Sequence, residues 1–373
     1  MTQTHVIQVP ALRDAMRRVV EGFGSSPGEV AAVADNLVDA NLCGHDSHGI
    51  GMLPRYAEAY LEGGLQPNQH VTMLLDAGAM LRLDGHAGFG QVLGREAMTL
   101  GIERARAHGC AIVALGNAHH LGRIGAWAEQ VAAAGFVSLH FVNVVARPIV
   151  APFGGARAGF GTNPFTAGVP LPGREPLILD FATSVIAQGK LRVAHNKGED
   201  VSPDLLLDDQ GQPTRDPRYA VVPPTGAILT FGEHKGYGLA TLCELLGGAL
   251  AAGQVGHRED GSKQRVLNGM LSIVIDPAAL GAAESFEHEA GAFIASLLGL
   301  PARDGFDRVL VAGDPERAMR KLREAQGVPV DDTTWQQILT AADRVGVSST
   351  LVDHIARGGS GLPRLAIDPI IIR

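Results

Sequence analysis

The stretch DGHAGFGQVLG (Asp84–Gly94) follows an alternating run, AMLRLDG (79–85), and opens an amphipathic helix from Gln91 to Ala107. A glycine loop between a strand and a helix is where a dinucleotide-binding fold carries its G-x-G-x-x-G turn. Here the glycines are Gly88, Gly90 and Gly94, so the last spacing is one residue too long. The second strand, in CAIVALGNAHH (110–120), ends in Gly and Asn, and no acidic residue stands about 20 residues on to receive a ribose. The loop therefore excludes the Rossmann reading while keeping strand–helix alternation.

Outward from that loop the alternation continues. CAIVALG (110–116) is a short β-rich run, IGAWAEQVAAAG (124–135) a helix and FVSLHFVNV (136–144) a strand, which together predict an α/β chain. Residues 145–230 hold many prolines and glycines among short strands such as EPLILDFA (175–182). HKGYGLATLCELLGGAL (234–250) reads as an apolar helix, and MLSIVID (270–276) as a strand closed by Pro277. Before the mixed region, residues 10–43 read as helix, with Pro27 after Ser25 and Ser26 in an N-cap arrangement, and 54–62 as a second helix stopped by Gly63 and Gly64. After about residue 284 the chain is helical again, most clearly over Glu316–Gln326 and Thr334–Arg344. The expected division is a helical N-terminal part, 1–75, a mixed-sheet domain for cofactor and substrate, 76–283, and a helical C-terminal part, 284–373, packing on the first.

Composition narrows the partners. The net charge of −8 with no basic run argues against nucleic acid and anionic membrane. No stretch reaches the roughly 18 apolar residues of a membrane span; even Phe136–Phe153 is interrupted by His140, Asn143 and Arg147. The first twenty residues carry Arg13, Asp14, Arg17 and Arg18 and no apolar core, so no secretory signal is expected. Cys43, Cys110 and Cys243 are odd in number and far apart, which does not make a disulfide framework and fits a cytoplasmic protein.

Five segments gather groups able to do chemistry. GHDSHGIGMLPRY (44–56) packs His45, Asp46, Ser47 and His48 between glycines; an imidazole suits proton transfer near neutral pH, and Asp46 or Ser47 would fix its tautomer. GNAHHLGRIG (116–125) leaves a strand and opens a helix, so its backbone N–H groups face an anion, with His120 and Arg123 one turn apart. PFGGARAGFGTNPF (152–165) is a backbone cradle or a set of turns. In LILDFATSVIAQGK (177–190), Asp180 ends a strand, Thr183 and Ser184 would cap the next helix, and Lys190 lies toward its far end; capping and function are equally open for Asp180. In FGEHKGYGLA (231–240), Lys235 sits at a helix start, unfavourable unless an anion such as a cofactor phosphate is there too.

Taken together, ANLCGHDSHGIGMLPRY, HHLGRIGAWAEQ, APFGGARAGFGTNPF, LDFATSVIAQGK and EHKGYGLA resemble the type 2 malate/L-lactate dehydrogenase family, nearest its hydroxycarboxylate dehydrogenase B branch. The resemblance runs to about residue 350. It implies a non-Rossmann, sulfolactate dehydrogenase-like fold, a mixed α/β sheet with a helical lobe from both chain ends, acting as a homodimer with NAD or NADP near the subunit interface. It implies proton transfer by His120, and His48 beside nicotinamide and substrate. It implies cofactor contacts at Gly122, Arg123, Ile124, Ile178, Leu179, Asp180, Phe181, Ala182, His234, Lys235, Gly313 and Asp314. Where many members carry an arginine for the substrate carboxylate, this chain has Met52, so Arg123, Arg55 or Arg147 would hold that group, with Tyr56 also at the substrate and Met52 making the pocket more apolar.

The expected activity is hydride transfer between NAD(P) and a small 2-hydroxy acid/2-oxo acid pair, with His120 as acid/base. Reduction of a cyclic imino acid, a metal-dependent hydrolase or lyase on His45, His48, His119 and His120, and a non-catalytic nucleotide-binding regulator are the rivals. No pair of these histidines has an established metal spacing, so no metal is expected.

Overall fold

The computed structural model describes residues 4–256, 266–281 and 283–359, and the parts of the expected domains beyond these lie outside the described residues. Its main feature is a seven-stranded sheet in the order Thr72–Ala77, Met80–Asp84, Cys110–His119, Leu267–Ile275, Val137–Val145, Phe165–Val169, Leu177–Phe181. Only Met80–Asp84 and Cys110–His119 run parallel, joined by the helix Gly90–His108; every other neighbour is antiparallel. A Rossmann sheet is mostly parallel, so the exclusion drawn from the glycine spacing holds. Leu81, Leu83, Val113, Leu115, Met270 and Val274 pack beneath the sheet against Leu93, Met98, Trp127 and Val131 of two helices.

The second core is helical and uses both chain ends. Thr4–Ile7 pairs antiparallel with Val328–Asp331, which brings the two ends side by side. Leu12, Met16, Leu37, Leu53 and Tyr56 then pack with Trp335, Ile338 and Val352. The expected helix over 10–43 is in fact two, Val9–Glu21 and Pro27–Leu42. The apolar spacing runs on through both, but Gly24 takes φ 73°, and Ser26 accepts a hydrogen bond from the Glu29 N–H to start the second helix.

Two further expectations are corrected. The helix after Asp180 begins at Gln188, so Lys190 lies in its first turn rather than at its far end, and neither Thr183 nor Ser184 caps it. The Thr183 hydroxyl instead donates to the Thr162 and Asn163 carbonyls, and that of Ser184 to Ile186. The run 234–250 is α-helical over His234–Cys243 and π-helical over Glu244–Leu250. There a Cβ on Gly247 would lie 2.5 Å from the Phe141 carbonyl, so a bare backbone is needed against the sheet. No described helix is long and apolar enough to cross a membrane.

Candidate active site

His120 stands just past the end of the strand Cys110–His119, and the glycines of the opening stretch place it. A Cβ on Gly90 would lie 2.3 Å from the His120 carbonyl oxygen and 2.6 Å from that of His119. A Cβ on Gly94 would lie 2.6 Å from the Trp127 ring. These glycines let a helix press against the strand end, which is a packing role and not a phosphate cradle. The turn after His120 is fixed by Leu121 N–H donating to Asn268 Oδ1 at 2.8 Å and by Trp127 Nε1–H donating to Leu121 O at 3.2 Å. Residues 120–124 are therefore a loop, and Arg123 is not one helical turn beyond His120 as expected.

His48 comes from the helical core, on the 3-10 turn Asp46–His48. Its ring stacks on that of His120, with centroids 5.6 Å apart and planes 17° apart. Ser47 Oγ lies 2.9 Å from His48 Nδ1. Asp46 does not reach an imidazole: it takes a two-pronged contact from Arg323 at 2.6 and 3.0 Å and one from Asn41 Nδ2 at 2.6 Å. Its role here is to fasten the turn to the helix Asp314–Gln326, and Ser47 alone addresses the histidine. Burial, then the positive field of His45, holds His48 down at about 4, with Asp180 pulling the other way. His120 is held well below its ordinary value by burial and then by His48, His119 and Arg55. Both rings are neutral at pH 7.

Tyr56 is fully buried, and its hydroxyl meets His120 Nδ1 at 2.7 Å. Gln91, inside the opening stretch, donates to Tyr56 Oη at 2.8 Å. Sequence reasoning missed Gln91; its one signal was a polar residue among Phe89, Val92 and Leu93 at a helix start. Met52 is 8% exposed and packs in the helical core.

The cations divide into two groups. Arg123 is 3% exposed and its guanidinium is 2.5 Å from Glu129, so it is committed and is not free for a substrate carboxylate. Burial opposes its charge, but Glu129 and Cys43 outweigh that and hold it above its ordinary value. Arg55, on the helix beside Tyr56, makes no ion pair with any described residue, and neither do Arg147 and Arg192. Burial, then Arg192, with Arg147 adding to it, presses the Arg55 guanidinium below its ordinary range. Arg192 was not foreseen. It lies three residues after Gly189, whose Cβ would sit 3.2 Å from Ser47, so its helix rests against the His48 turn.

Asp180, on the last strand of the sheet, accepts from Gly125 N–H at 2.8 Å and from the Thr166 hydroxyl at 2.7 Å. The helix start Gly125–Ala133 that was expected to meet an external anion is thus capped by the protein's own carboxylate. Ile178 N–H reaches the Ala312 carbonyl, which sets Gly313 and Asp314 beside Ile178, with Leu179, Phe181 and Ala182 following along the edge. The Asp314 carboxylate is taken by Arg317 at 2.7 Å and Arg308 at 3.0 Å. A small pocket joins Arg123, Asp180, Gly313 and Arg317, and Arg317 and Ile178 also line a cavity of about 830 Å³ closed by Leu171, Phe286 and Lys321. Gly122 and Ile124 flank Arg123 in the turn. His234 and Lys235 are exposed on the far side of Phe231, whose ring meets Phe181 at 5.3 Å.

Of the rival histidine set, His45 turns away to Glu316 at 3.3 Å. The described residues hold no group of three or more His, Cys, Asp or Glu side chains placed to share a metal ion.

Residues 7–339 match the family model for malate/L-lactate dehydrogenase. The chain is 47% identical to hydroxycarboxylate dehydrogenase B of Escherichia coli K12 over 349 residues, 93% of this chain and 96% of that protein. Among solved structures it is similar to one from E. coli described as a malate/lactate dehydrogenase, with TM-score 0.91, 46% identity and coverage of 95% and 99%. It is similar as well to sulfolactate dehydrogenase from Methanocaldococcus jannaschii, with TM-score 0.83, 30% identity and coverage of 93% and 99%. The chain, with its non-Rossmann mixed sheet and its two stacked histidines, belongs to the malate/L-lactate dehydrogenase family.

Proposed function

We propose that this protein is an NAD(P)-dependent dehydrogenase interconverting a small 2-hydroxy acid and its 2-oxo acid. The observation that carries the reading is His120, neutral, buried and backed by Tyr56, stacked on His48 and near Arg55, which makes no ion pair with any described residue. The cavity of about 830 Å³ is of a size to take the adenosine end of a dinucleotide, and it shares Ile178 and Arg317 with the pocket of Arg123, Asp180 and Gly313. When bound there, the nicotinamide supplies the hydride acceptor or donor.

The chain's own groups supply the rest. In oxidation of the alcohol, neutral His120 takes the hydroxyl proton and becomes the imidazolium; in reduction, His120 first takes a proton from water, and the imidazolium gives it to the oxygen as negative charge develops there, returning to the neutral ring. His48, fixed by Ser47, hydrogen-bonds the same oxygen. Arg55, with Arg147 and Arg192 near it, holds the carboxylate that Arg123 is too committed to hold. Because burial lowers the His120 pKa, oxidation is favoured at neutral and higher pH, and reduction gains as pH falls toward that value.

The test is NADH and NADPH consumption on a panel of 2-oxo acids and one cyclic imino acid, with wild type and His120→Asn. Turnover on an oxo acid that drops roughly 10²–10⁴-fold in the variant, with nucleotide binding kept, is the expected result. Turnover unchanged in His120→Asn overturns the role of His120. Turnover confined to the imino acid replaces the substrate class.

A further inference from the structure

The chain Gln91–Tyr56–His120 determines where the His120 proton sits. Gln91 Nε2–H donates to Tyr56 Oη at 2.8 Å, so the tyrosine's own proton is left to point at His120 Nδ1, 2.7 Å away. Neutral His120 then carries its proton on Nε2. Gln91 Oε1, at the other end of the amide, accepts no hydrogen bond from any described residue although it is buried. Reversing the amide therefore breaks nothing else. Oε1 would then accept from the Tyr56 hydroxyl, Oη would accept from His120 Nδ1–H, and Nε2 would be left with a bare lone pair.

We propose that Gln91 and Tyr56 are positioning residues that form a reversible hydrogen-bond relay. In one direction it presents His120 Nε2–H to the carbonyl oxygen of a bound oxo acid. In the other it presents the Nε2 lone pair to the hydroxyl of a bound hydroxy acid. The inference rests on His120 being the acid/base. In alcohol oxidation the substrate O–H bond breaks and an Nε2–H bond forms, while the C2 hydride passes to the oxidised nicotinamide nucleotide. The resulting imidazolium keeps Nδ1–H on Tyr56 Oη and returns its Nε2 proton to water after product release.

A neutral amide is what makes both directions available. Its two ends are an acceptor and a donor of nearly equal shape, whereas a carboxylate at this position can only accept. Among the described residues, no carboxylate is seen to hydrogen-bond the His120 ring. The titratable and charged groups facing His120 are Tyr56 and Arg55 from one helix, His119 from its own strand and His48 from the opposed turn, and the last three all oppose its protonation. Tyr56 itself is pushed above its ordinary value by burial, with the Gln91 bond working against this, so it relays a proton position without ionising at neutral pH.

The experiment is 15N NMR of the whole enzyme carrying labelled histidine, the His120 signal being identified by its loss in His120→Asn, together with pH profiles of kcat and kcat/KM. Wild type is expected to show the Nε2–H tautomer, alone or averaged with the other. Gln91→Glu is expected to shift His120 to Nδ1–H and to move the acidic limb of the oxidation profile up by at least about one pH unit, since a carboxylate favours the imidazolium through Tyr56. Tyr56→Phe, which keeps the buried ring, covers the case in which the buried carboxylate prevents folding. It is expected to cut kcat roughly tenfold with KM within about twofold, and to remove the tautomer bias. Turnover that still depends on His120, with tautomer and pH profile unmoved in the folded variant, overturns the relay and leaves the general function intact. Loss of the dependence on His120 overturns the proposed function itself.

Discussion

The two stacked histidines come from regions held together by different chemistry. The wall that carries His48 is fastened by charge. Arg323 forks onto Asp46, Arg13 bridges Asp35 and Asp39, and Arg320 reaches Asp39 from the helix Asp314–Gln326. The wall that carries His120 is fastened by neutral hydrogen bonds inside the sheet. His140 bonds Ser138 and Ser272, Asn268 holds Leu121 and the Asn143 carbonyl, and Gln91 holds Tyr56. Charged pairs suit the first region because their carboxylates keep part of their water, which lowers the desolvation cost. Beneath the sheet no water remains to share that cost, and only matched neutral partners are cheap to bury.

Acid should act on neutral histidines, His140 within the sheet as well as His48, both held down at about 4. His140 is fully buried, and burial holds its pKa down at about 4, below the ordinary 6.5, with Asp180 opposing. The unfolded chain therefore binds the proton between these values and the folded chain does not, so stability is present above about pH 6.5 and is lost as pH falls toward 4. The loss from this one residue is on the order of 3 kcal/mol. Urea unfolding at pH 7.5 and 4.5 should show it, and His140→Asn, which keeps a polar group without a titrating one, should make the slope shallower. Equal slopes would mean that His140 is not what acid attacks.

The charged wall should fail differently. Arg323→Ala removes the fork on Asp46 and a bond to the Asn41 carbonyl. The half-exposed Asp46 can rehydrate, so the expected loss is about 2 kcal/mol rather than the larger penalty of a stranded buried charge. The wild-type advantage should shrink in 0.5 M salt, where the Debye length falls to roughly 4 Å from about 30 Å at 0.01 M, while the His140 effect should not. A salt-independent loss would place Arg323 among the packing residues and blur the contrast.

How much of this was legible follows the same line. The alternation over 79–144 predicted strands and helices because a buried face repeats in sequence, and His48 and His120 stood out as polar groups between glycines. Sheet order did not. Leu267–Ile275 enters between Cys110–His119 and Val137–Val145 from far along the chain, and nothing local announces it. Pairings were equally silent: Asp46 with Arg323, Arg123 with Glu129, and Asp180 on Gly125 join residues whose partners only the fold selects. Gln91 was hidden for another reason. It lies in a glycine stretch whose spacing speaks only to nucleotide binding, and its place behind Tyr56 and His120 is set by the fold.

Met52 gives the smallest expected effect and the sharpest check on that lesson. From sequence it stood where a substrate-binding arginine is expected, and so was assigned to the pocket. In the structure it ends the short turn Ile50–Met52, is 8% exposed and packs with Leu53 and the helical core. Packing of that kind predicts a contribution of volume rather than substrate contact. Met52→Leu, which nearly conserves volume, should cost less than about 1.5 kcal/mol and leave the order of preference among 2-oxo acids unchanged. If the preferred acid changes instead, Met52 faces the substrate, and the boundary between the charged wall and the pocket lies closer to His48 than its packing implies.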